Sequence, residues 1–267
     1  MNNDPIGVFD SGLGGLTAVR ALLQMLPDEN IIYFGDTGRM PYGGRPREQI
    51  RRIARQNIAF VENCGVKAIL AACGTISSNA GDILRESPTK IVGVLSPGAA
   101  ELAQTGCKRL CVIATQTSIA SGAFEREIRS LAPDAELLSI ACPDFVPMIE
   151  AGHIGENDPV VRETVARTLR PAKDFGAQAM LLGCTHYGII AKAIGTFLPE
   201  TELIGAADAA AREMRRYLTE NGLLSGEKTG DTYYTSGPAA DFAALAPVML
   251  GQDIRDELRF IPPEVLA

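Results

Sequence analysis

The chain has 267 residues, 46% of them hydrophobic, and carries a formal net charge of −7 with a pI near 5.0. This length allows one large domain or two small ones, and the acidic balance excludes a nucleic-acid binder, which needs a basic face. The N-terminus lacks the features of a signal peptide, and there is no run of about 18 apolar residues that could span a membrane, so we expect a cytoplasmic protein. The cysteines show no Cys-x-x-Cys spacing, and we expect them to be free thiols.

Short apolar runs alternate with amphipathic stretches through the first part of the chain. They predict strands and helices in this order: a strand at 6–9, a helix at 15–26, a strand at 31–34, a helix at 47–63, a strand at 67–71, a further helix, and a strand at 91–95. The arginines between 45 and 55 lie beside an apolar stripe at helical spacing, so they form the solvated face of a helix. Pro97 and Gly98 in the segment Ser96-Pro97-Gly98 interrupt both periodicities and predict a crossover to a second half.

The second half repeats the alternation of the first. Strands are predicted at 110–114, 136–140 and 178–182, with a helix ending near 131 and another along the stripe of Val161, Val165 and Leu169. A helix at 209–218, a strand at 232–235 and a helix at 242–250 follow and have no counterpart in the first half. We therefore predict an α/β fold of two pseudo-symmetric, doubly wound parallel-sheet domains, formed by 1–97 plus 208–267 and by 98–207.

Two segments of the chain are near copies of each other, and each ends an apolar strand in a cysteine. Residues 65–75 read Gly-Val-Lys-Ala-Ile-Leu-Ala-Ala-Cys-Gly-Thr, and residues 176–186 read Gly-Ala-Gln-Ala-Met-Leu-Leu-Gly-Cys-Thr-His. The runs at 6–11 and 31–34 can likewise be laid over those at 110–115 and 137–140. Because α/β sheets place reacting groups at the carboxyl ends of their strands, Cys73 and Cys184 are expected to face each other across a cleft between the domains.

Polar loops follow the other strands of the first half. The loop Asp10-Ser11-Gly12-Leu13-Gly14-Gly15 lacks the third glycine of a dinucleotide fingerprint and the lysine of a P-loop. It places the Asp10 carboxylate and the Ser11 hydroxyl at a strand end, near backbone N–H groups that suit a substrate carboxylate, although Asp10 serves equally well as a helix cap. The loop Pro41-Tyr42-Gly43 is a turn by composition and is long enough to reach over a cleft.

A buried cysteine on its own is usually an inert apolar residue. Here both cysteines precede polar residues, and a thiol near a helix N-terminus, a His or an Asp titrates closer to neutrality. Two facing thiols suit the inversion of a stereocentre, because the proton leaves one face of a carbon atom and returns on the other. No lysine lies in a motif loop and the chain has two histidines, so neither a pyridoxal phosphate cofactor nor a metal site is expected.

At these residues the sequence resembles the cofactor-independent aspartate/glutamate racemase family, from Ile6 to the C-terminal region. The motifs that carry the resemblance are Ile6-Gly7-Val8-Phe9-Asp10-Ser11-Gly12-Leu13-Gly14-Gly15-Leu16, Phe34-Gly35-Asp36, Pro41-Tyr42-Gly43, Ala72-Cys73-x-Thr75, Glu150-Ala151-Gly152 and Gly183-Cys184-Thr185-His186-Tyr187. The resemblance implies a homodimer that interconverts L- and D-glutamate without a cofactor and supplies D-glutamate for peptidoglycan.

The resemblance also implies roles for individual residues. Cys73 and Cys184 would be the two acid/base catalysts, one for each enantiomer. Asp10 would assist Cys73, His186 would assist Cys184, and Glu150 would lie near the Cys184 side as a further member of the catalytic set. The substrate would be bound by Asp10, Ser11, Pro41, Tyr42, Gly43, Gly74, Thr75, Thr185 and His186.

Two positions depart from the pattern of that family. Gly74 stands where Asn is common, so an amide expected to contact the substrate is missing unless Ser77 or Asn79 compensates. Gly188 stands where Pro is common, which loosens a turn without removing chemistry. Gly74 raises an aspartate racemase as an alternative, and a protein that binds a dicarboxylate without turning it over, with structural cysteines, is a second one.

Overall fold

The computed structural model describes residues 2–266 and contains two parallel β-sheets surrounded by helices. The strands are β1 (Ile6–Asp10), β2 (Ile31–Gly35), β3 (Ala68–Ala71), β4 (Ile91–Gly93), β5 (Arg109–Ala114), β6 (Glu136–Ala141), β7 (Ala179–Leu182), β8 (Glu202–Gly205), β9 (Thr232–Thr235) and β10 (Leu258–Phe260). The helices are α1 (Leu16–Met25), α2 (Arg47–Asn63), α3 (Gly74–Asn79), α4 (Gly81–Glu86), α5 (Leu95–Gln104), α6 (Gln116–Ala120), α7 (Ala123–Leu131), α8 (Phe145–Glu150), α9 (Pro159–Phe175), α10 (Ala191–Phe197), α11 (Ala206–Glu220) and α12 (Ala239–Leu250). Short 3₁₀ segments occupy Thr37–Arg39, Thr185–Ile190 and Pro263–Leu266.

The two sheets share one strand order. The first sheet runs β10-β9-β2-β1-β3-β4 and the second β6-β5-β7-β8, so the four strands β1 to β4 and the four strands β5 to β8 are arranged alike. Every pairing in both sheets is parallel. The central strands β1, β3 and β7 are buried along their whole length, as expected for sheets covered by helices on both faces. The predicted α/β fold class is therefore confirmed, and the cysteine strands β3 and β7 occupy equivalent positions.

The C-terminal part of the chain returns to the first sheet. Strand β9 pairs with β2, with Ile32 opposite Thr232, and β10 extends the same edge. Helix α11 contacts both α1 and α5 as well as β4 of the first sheet and β8 of the second, and a single apolar cluster includes residues of both sheets. This shared core fixes the carboxyl ends of the two sheets relative to each other. The proposed division into 1–97 plus 208–267 and 98–207 has both boundaries inside helices, namely α5 and α11.

The chain passes from the first sheet to the second through the segment that contains 96–98, as expected, but this segment is a helix and not a break in regular structure. Strand β4 ends at Gly93, and α5 begins at Leu95 and includes Pro97 and Gly98. Proline is tolerated in the first turn of a helix, because the N–H groups there have no intrahelical partner. The strands β8 and β10 and the helices α8 and α10 were not predicted, since each is short and carries little periodic signal of its own.

A buried ion pair joins the start of β3 to the segment before β2, and its hydrogen bonds extend to the N-terminal residues and to the segment after α11. Lys67 Nζ lies 2.6 Å from Glu29 Oε2, and the two side chains are 1% and 2% exposed. The same ammonium donates to the carbonyl oxygens of Asn2 and Leu223, and the N–H of Ser225 donates to Glu29 Oε1. The strand that leads to Cys73 is thus fixed at its far end by charge-assisted hydrogen bonds.

Candidate active site

Cys73 and Asp10 leave the first sheet side by side. Strands β1 and β3 are neighbours in register, and Phe9 lies opposite Ala71, so the residues that follow emerge together. Cys73 is the last extended residue before α3, at φ −90° and ψ 114°, and is 4% exposed. The Ser11 side chain and the Ile76 N–H both act to lower the pKa of its thiol. Asp10 Oδ2 accepts the N–H of Gly15 at 2.8 Å, which ties the carboxylate to the start of α1.

Cys184 occupies the equivalent position in the second sheet. It is also extended, at φ −122° and ψ 135°, and a 3₁₀ segment follows it directly. His186 Nδ1 lies 3.8 Å from Cys184 Sγ, and His186 Nε2 lies 3.2 Å from Glu150 Oε1 at the end of α8. Cys184 and His186 are buried, whereas the Glu150 side chain is 21% exposed. The loops that follow the first sheet and those that follow the second form the two walls of the site. The second wall thus carries a thiol, an imidazole and a carboxylate in hydrogen-bonding order.

The two walls touch each other at Gly74, next to Cys73, and at Gly14, in the loop after β1. A β-carbon placed on Gly74 would lie 2.5 Å from the carbonyl oxygen of Gly183, so the main chains of the two cysteine loops are in direct contact. A β-carbon on Gly14 would overlap the His186 ring. Thr17 Oγ1 donates to the carbonyl oxygen of Thr185 at 3.1 Å. The loops of the two sheets therefore meet in a tight seam at the carboxyl ends of the strands.

The surroundings of Cys73 favour its neutral form. Burial raises the pKa of the Cys73 thiol, and the charge of Asp10 raises it further, against the hydrogen bonds from Ile76 and Ser11. A negative charge on Cys184 also raises the pKa of Cys73, so the two sulfurs are close enough to interact electrostatically. Burial likewise raises the pKa of Asp10, while His186 and the Gly15 N–H act in the opposite direction.

His186 is held as a cation. Burial lowers its pKa, but hydrogen bonds with Cys184 and Glu150, together with the charges of Cys184 and Asp10, outweigh burial and raise the pKa to about 10. An imidazolium donates from both ring nitrogens, which matches the acceptors on its two sides. His186 can therefore stabilise negative charge on the Cys184 sulfur and can hold or release a proton beside it.

The loop after β2 is anchored by a buried polar network. The Asp36 carboxylate accepts hydrogen bonds from the Tyr42 hydroxyl, from Arg39 Nε at 2.7 Å and from Ser236 Oγ at 2.6 Å. Asn57 Nδ2 donates to the Tyr42 hydroxyl at 3.0 Å. Tyr42 is 1% exposed, and its hydroxyl is held within this network beside the first sheet.

The same loop reaches across to the second sheet. Its Pro41 follows a cis peptide bond, and Pro41 and Gly43 are exposed. The N–H of Gly44 donates to Thr117 Oγ1 at 2.7 Å, on helix α6. The remaining predicted binding residues lie at the seam: Ser11 is half-buried, and Thr75 and Thr185 are 4% and 3% exposed.

Sequence reasoning missed Thr115 as part of this region. Thr75 Oγ1 and Thr115 Oγ1 lie 3.2 Å apart, and Thr115 caps α6. A signal was present, because the overlay of the two halves places Thr115, after β5, where Ser11 stands after β1. Among residues 2–266, no group of three or more His, Cys, Asp or Glu could hold a metal ion, and no helix is long and apolar enough to cross a membrane.

The fold and this geometry define a class of protein: two like parallel sheets that each contribute one buried thiol to a shared seam. The family model for Asp/Glu/Hydantoin racemase matches residues 6–214. A glutamate racemase of Thermoanaerobacter pseudethanolicus is 36% identical over 97% of both chains, and one of Thermus thermophilus is 42% identical over 91% of both. The crystal structure of glutamate racemase from Francisella tularensis subsp. tularensis, in complex with D-glutamate, has a TM-score of 0.92 and 35% identity, covering 99% of this chain and 100% of that one.

The chain therefore belongs to the Asp/Glu/Hydantoin racemase family, and as such it is an amino-acid racemase. This confirms the resemblance noted from the sequence motifs.

Proposed function

We propose that the protein interconverts L-glutamate and D-glutamate by proton transfer at Cα between Cys73 and Cys184, without a cofactor. The observation that carries this proposal is the placement of two buried cysteines at the ends of equivalent strands, with their loops in contact. Inversion needs one base on each face of the carbon, and a two-sheet site supplies that arrangement. The glutamate specificity is taken from glutamate racemases that this chain resembles over nearly its whole length.

In the proposed reaction, one cysteine removes the Cα proton as a thiolate while the other, as a thiol, delivers a proton to the opposite face. The carbon inverts, the two sulfurs exchange protonation states, and the reverse direction uses them in opposite roles. Each wall has its own means of supporting this exchange. On the second wall, the His186 cation stabilises negative charge on Cys184. On the first wall, the Ser11 side chain and the Ile76 N–H lower the pKa of Cys73 and so favour negative charge on its sulfur.

The charges of the substrate suit the groups that remain at the seam. The Asp10 carboxylate is a partner for the α-ammonium group, which also favours the ionised form of this buried acid. The hydroxyls of Ser11, Thr75 and Thr185 and the exposed main chain at Gly43 can bind the two carboxylates. Glu150 supports His186 and is placed to act through it.

Incorporation of solvent deuterium at Cα tests the reaction itself. The purified protein is incubated in D₂O with each enantiomer of glutamate, and in separate reactions with L-aspartate and with L-glutamine as alternative substrates. We expect deuterium in both products from glutamate. A dicarboxylate-binding protein would give no exchange with either enantiomer, and exchange confined to aspartate would replace glutamate by the other substrate.

A Cys73→Ser variant tests the roles of the two thiols, and Cys142→Ala is its control. Cys142 is another buried cysteine close enough to Cys184 to interact electrostatically, but it lies at the end of β6, outside the proposed pair. We expect Cys73→Ser to lose racemisation by at least about a hundredfold, since general acid–base groups contribute about 10²–10⁴-fold. Cys142→Ala is expected to keep the wild-type rate. Unimpaired racemisation by Cys73→Ser would end the two-thiol mechanism.

We also propose, from family membership, that the protein acts as a cytoplasmic homodimer and supplies D-glutamate for peptidoglycan. Sedimentation of the purified chain tests the oligomeric state. Growth of a D-glutamate-requiring bacterial strain that expresses this chain tests the biological role. Growth without added D-glutamate is the expected result.

A further inference from the structure

Gly74 lies where the two cysteine loops approach each other most closely. It follows Cys73 directly, and its contact, the carbonyl oxygen of Gly183, immediately precedes Cys184. A β-carbon on Gly74 would lie 2.5 Å from that oxygen and 3.9 Å from the Cα atom of Cys184. The space that a side chain at position 74 would occupy is therefore filled by the main chain of the opposite wall.

Neither side of this contact can yield on its own. The N–H of Gly183 donates to the carbonyl oxygen of Ile113 at 2.8 Å, which fixes the end of β7 in the second sheet. On the first wall, the N–H of Ser77 donates to the carbonyl oxygen of Cys73 at 2.9 Å, which fixes Cys73 at the start of α3. A side chain at position 74 would therefore displace one wall from the other instead of moving aside locally.

Backbone conformation does not require glycine at this position. Gly74 is absent from the glycines with positive φ, so an alanine is allowed by its dihedral angles. The effect of a substitution would come from the contact with Gly183 alone. Gly188 provides a matched comparison on the second wall, because it also lacks a positive φ and a β-carbon there would meet nothing within 4 Å.

We propose that Gly74 is a positioning residue that sets the separation of Cys73 and Cys184, and thereby the rate of proton transfer in both directions. This role rests on the proposed two-cysteine function and deepens it. From the sequence, Gly74 was interpreted as the loss of an amide that contacts the substrate, whereas the structure leaves no room for a side chain there. An amide could be restored at position 74 only by opening the seam, so adding one should slow the reaction instead of improving binding.

The test compares three variants, Gly74→Ala, Gly74→Asn and Gly188→Ala, with the wild type. kcat and KM are measured with L-glutamate and with D-glutamate, and thermal unfolding identifies any loss of folding. A displacement of about 1 Å in a site can lower a rate by about a hundredfold. We therefore expect Gly74→Ala to lower kcat by about 10- to 100-fold in both directions, with a smaller change in KM. Gly74→Asn should lose at least as much, and Gly188→Ala should match the wild type.

Crystal structures of the wild type and of Gly74→Ala provide a readout other than activity. We expect the distance between the Cys73 and Cys184 sulfurs to be longer in the variant. Two outcomes overturn the positioning role alone when the wild type is active. One is a Gly74→Ala variant that is as active as the wild type, and the other is a Gly74→Asn variant with a lower KM and an undiminished kcat. A well-folded wild type that does not racemise glutamate overturns the proposed function and this role together.

Discussion

Replacing Glu150 by Gln isolates the charge that supports the His186 cation. In the wild type, Glu150 Oε1 lies 3.2 Å from His186 Nε2. The substitution keeps the shape of the side chain and an oxygen that can accept this hydrogen bond, but it removes the negative charge. Two opposite unit charges at this distance attract by about 5 kcal/mol at an effective dielectric constant of about 20. This value is an upper limit, since the Glu150 side chain is 21% exposed and partly screened by water.

A hydrogen bond to a charged group contributes a net amount of about 1.5–3 kcal/mol, and about 1.36 kcal/mol corresponds to one pKa unit. We therefore expect the pKa of His186 to fall from about 10 to about 8–9 in Glu150→Gln. The folded-state pKa of His186 lies above its ordinary value of 6.5. Protonation of His186 thus stabilises the fold fully below pH 6.5, and this contribution is lost as the pH rises through about 10. In the variant, the loss should occur at lower pH.

The assay is an NMR titration of the histidine ring protons. The chain has two histidines, so a His153→Gln variant assigns both signals. Asp158→Asn is the matched control, because it removes the carboxylate 2.8 Å from His153 and should leave His186 unchanged. The alkaline limb of the racemisation rate should move down by the same one to two units as the titration. A His186 pKa within about 0.3 units of the wild-type value would refute the assigned role of Glu150.

Three further predictions concern the support of the site. Lys67→Met should lower the free energy of unfolding in urea by about 3–5 kcal/mol, because it leaves the Glu29 carboxylate buried and unpaired. The double variant Lys67→Met/Glu29→Leu should recover most of this loss, and an equal loss in both variants would contradict the reasoning. Tyr42→Phe removes the hydroxyl that donates to Asp36 and should cost about 1–3 kcal/mol and raise KM more than it lowers kcat, with an unchanged KM as the opposing result. Because burial raises the pKa of Cys111 to about 12, iodoacetamide should modify this thiol about a thousandfold more slowly than an exposed cysteine at pH 8, and modification at the exposed rate in peptide mapping would show that the strand opens.

The strongly periodic parts of the fold were predictable from local sequence. The stripe of α2 predicted its bounds at 47–63. The run of threonine and tyrosine at 232–235, residue types favoured in strands, predicted β9. Helix α5 was not predicted because Pro97 was interpreted as a break, although it lies in a first turn where proline does no harm. Strand β10 has three residues, two of them exposed, and carries too little pattern to be recognised.

Some residues of the candidate site could likewise be located from local sequence, and others depend on tertiary packing. The two cysteines could be located from the repeat itself, and Thr115 could have been located by extending that overlay. Glu150 was indicated only by resemblance to a family, since its place 3.2 Å from His186 depends on how α8 packs beside the second cysteine loop. Tyr42 was expected to help hold the substrate. The network around Asp36 engages its hydroxyl, so a substrate contact through its main chain stays a prediction.

By itself, the sequence determined a duplicated α/β chain with a thiol at the same place in each half, because strand periodicity and the order of residues at a strand end are local properties. The tertiary structure alone decided how the halves meet. The contact of Gly74 with the Gly183 carbonyl joins segments far apart in the chain, and it depends on the packing of α1, α5 and α11 between the sheets. From the sequence, Gly74 appeared to be a missing side chain. In the folded protein its place is filled by the opposite wall, which is why the same residue now predicts a geometric role.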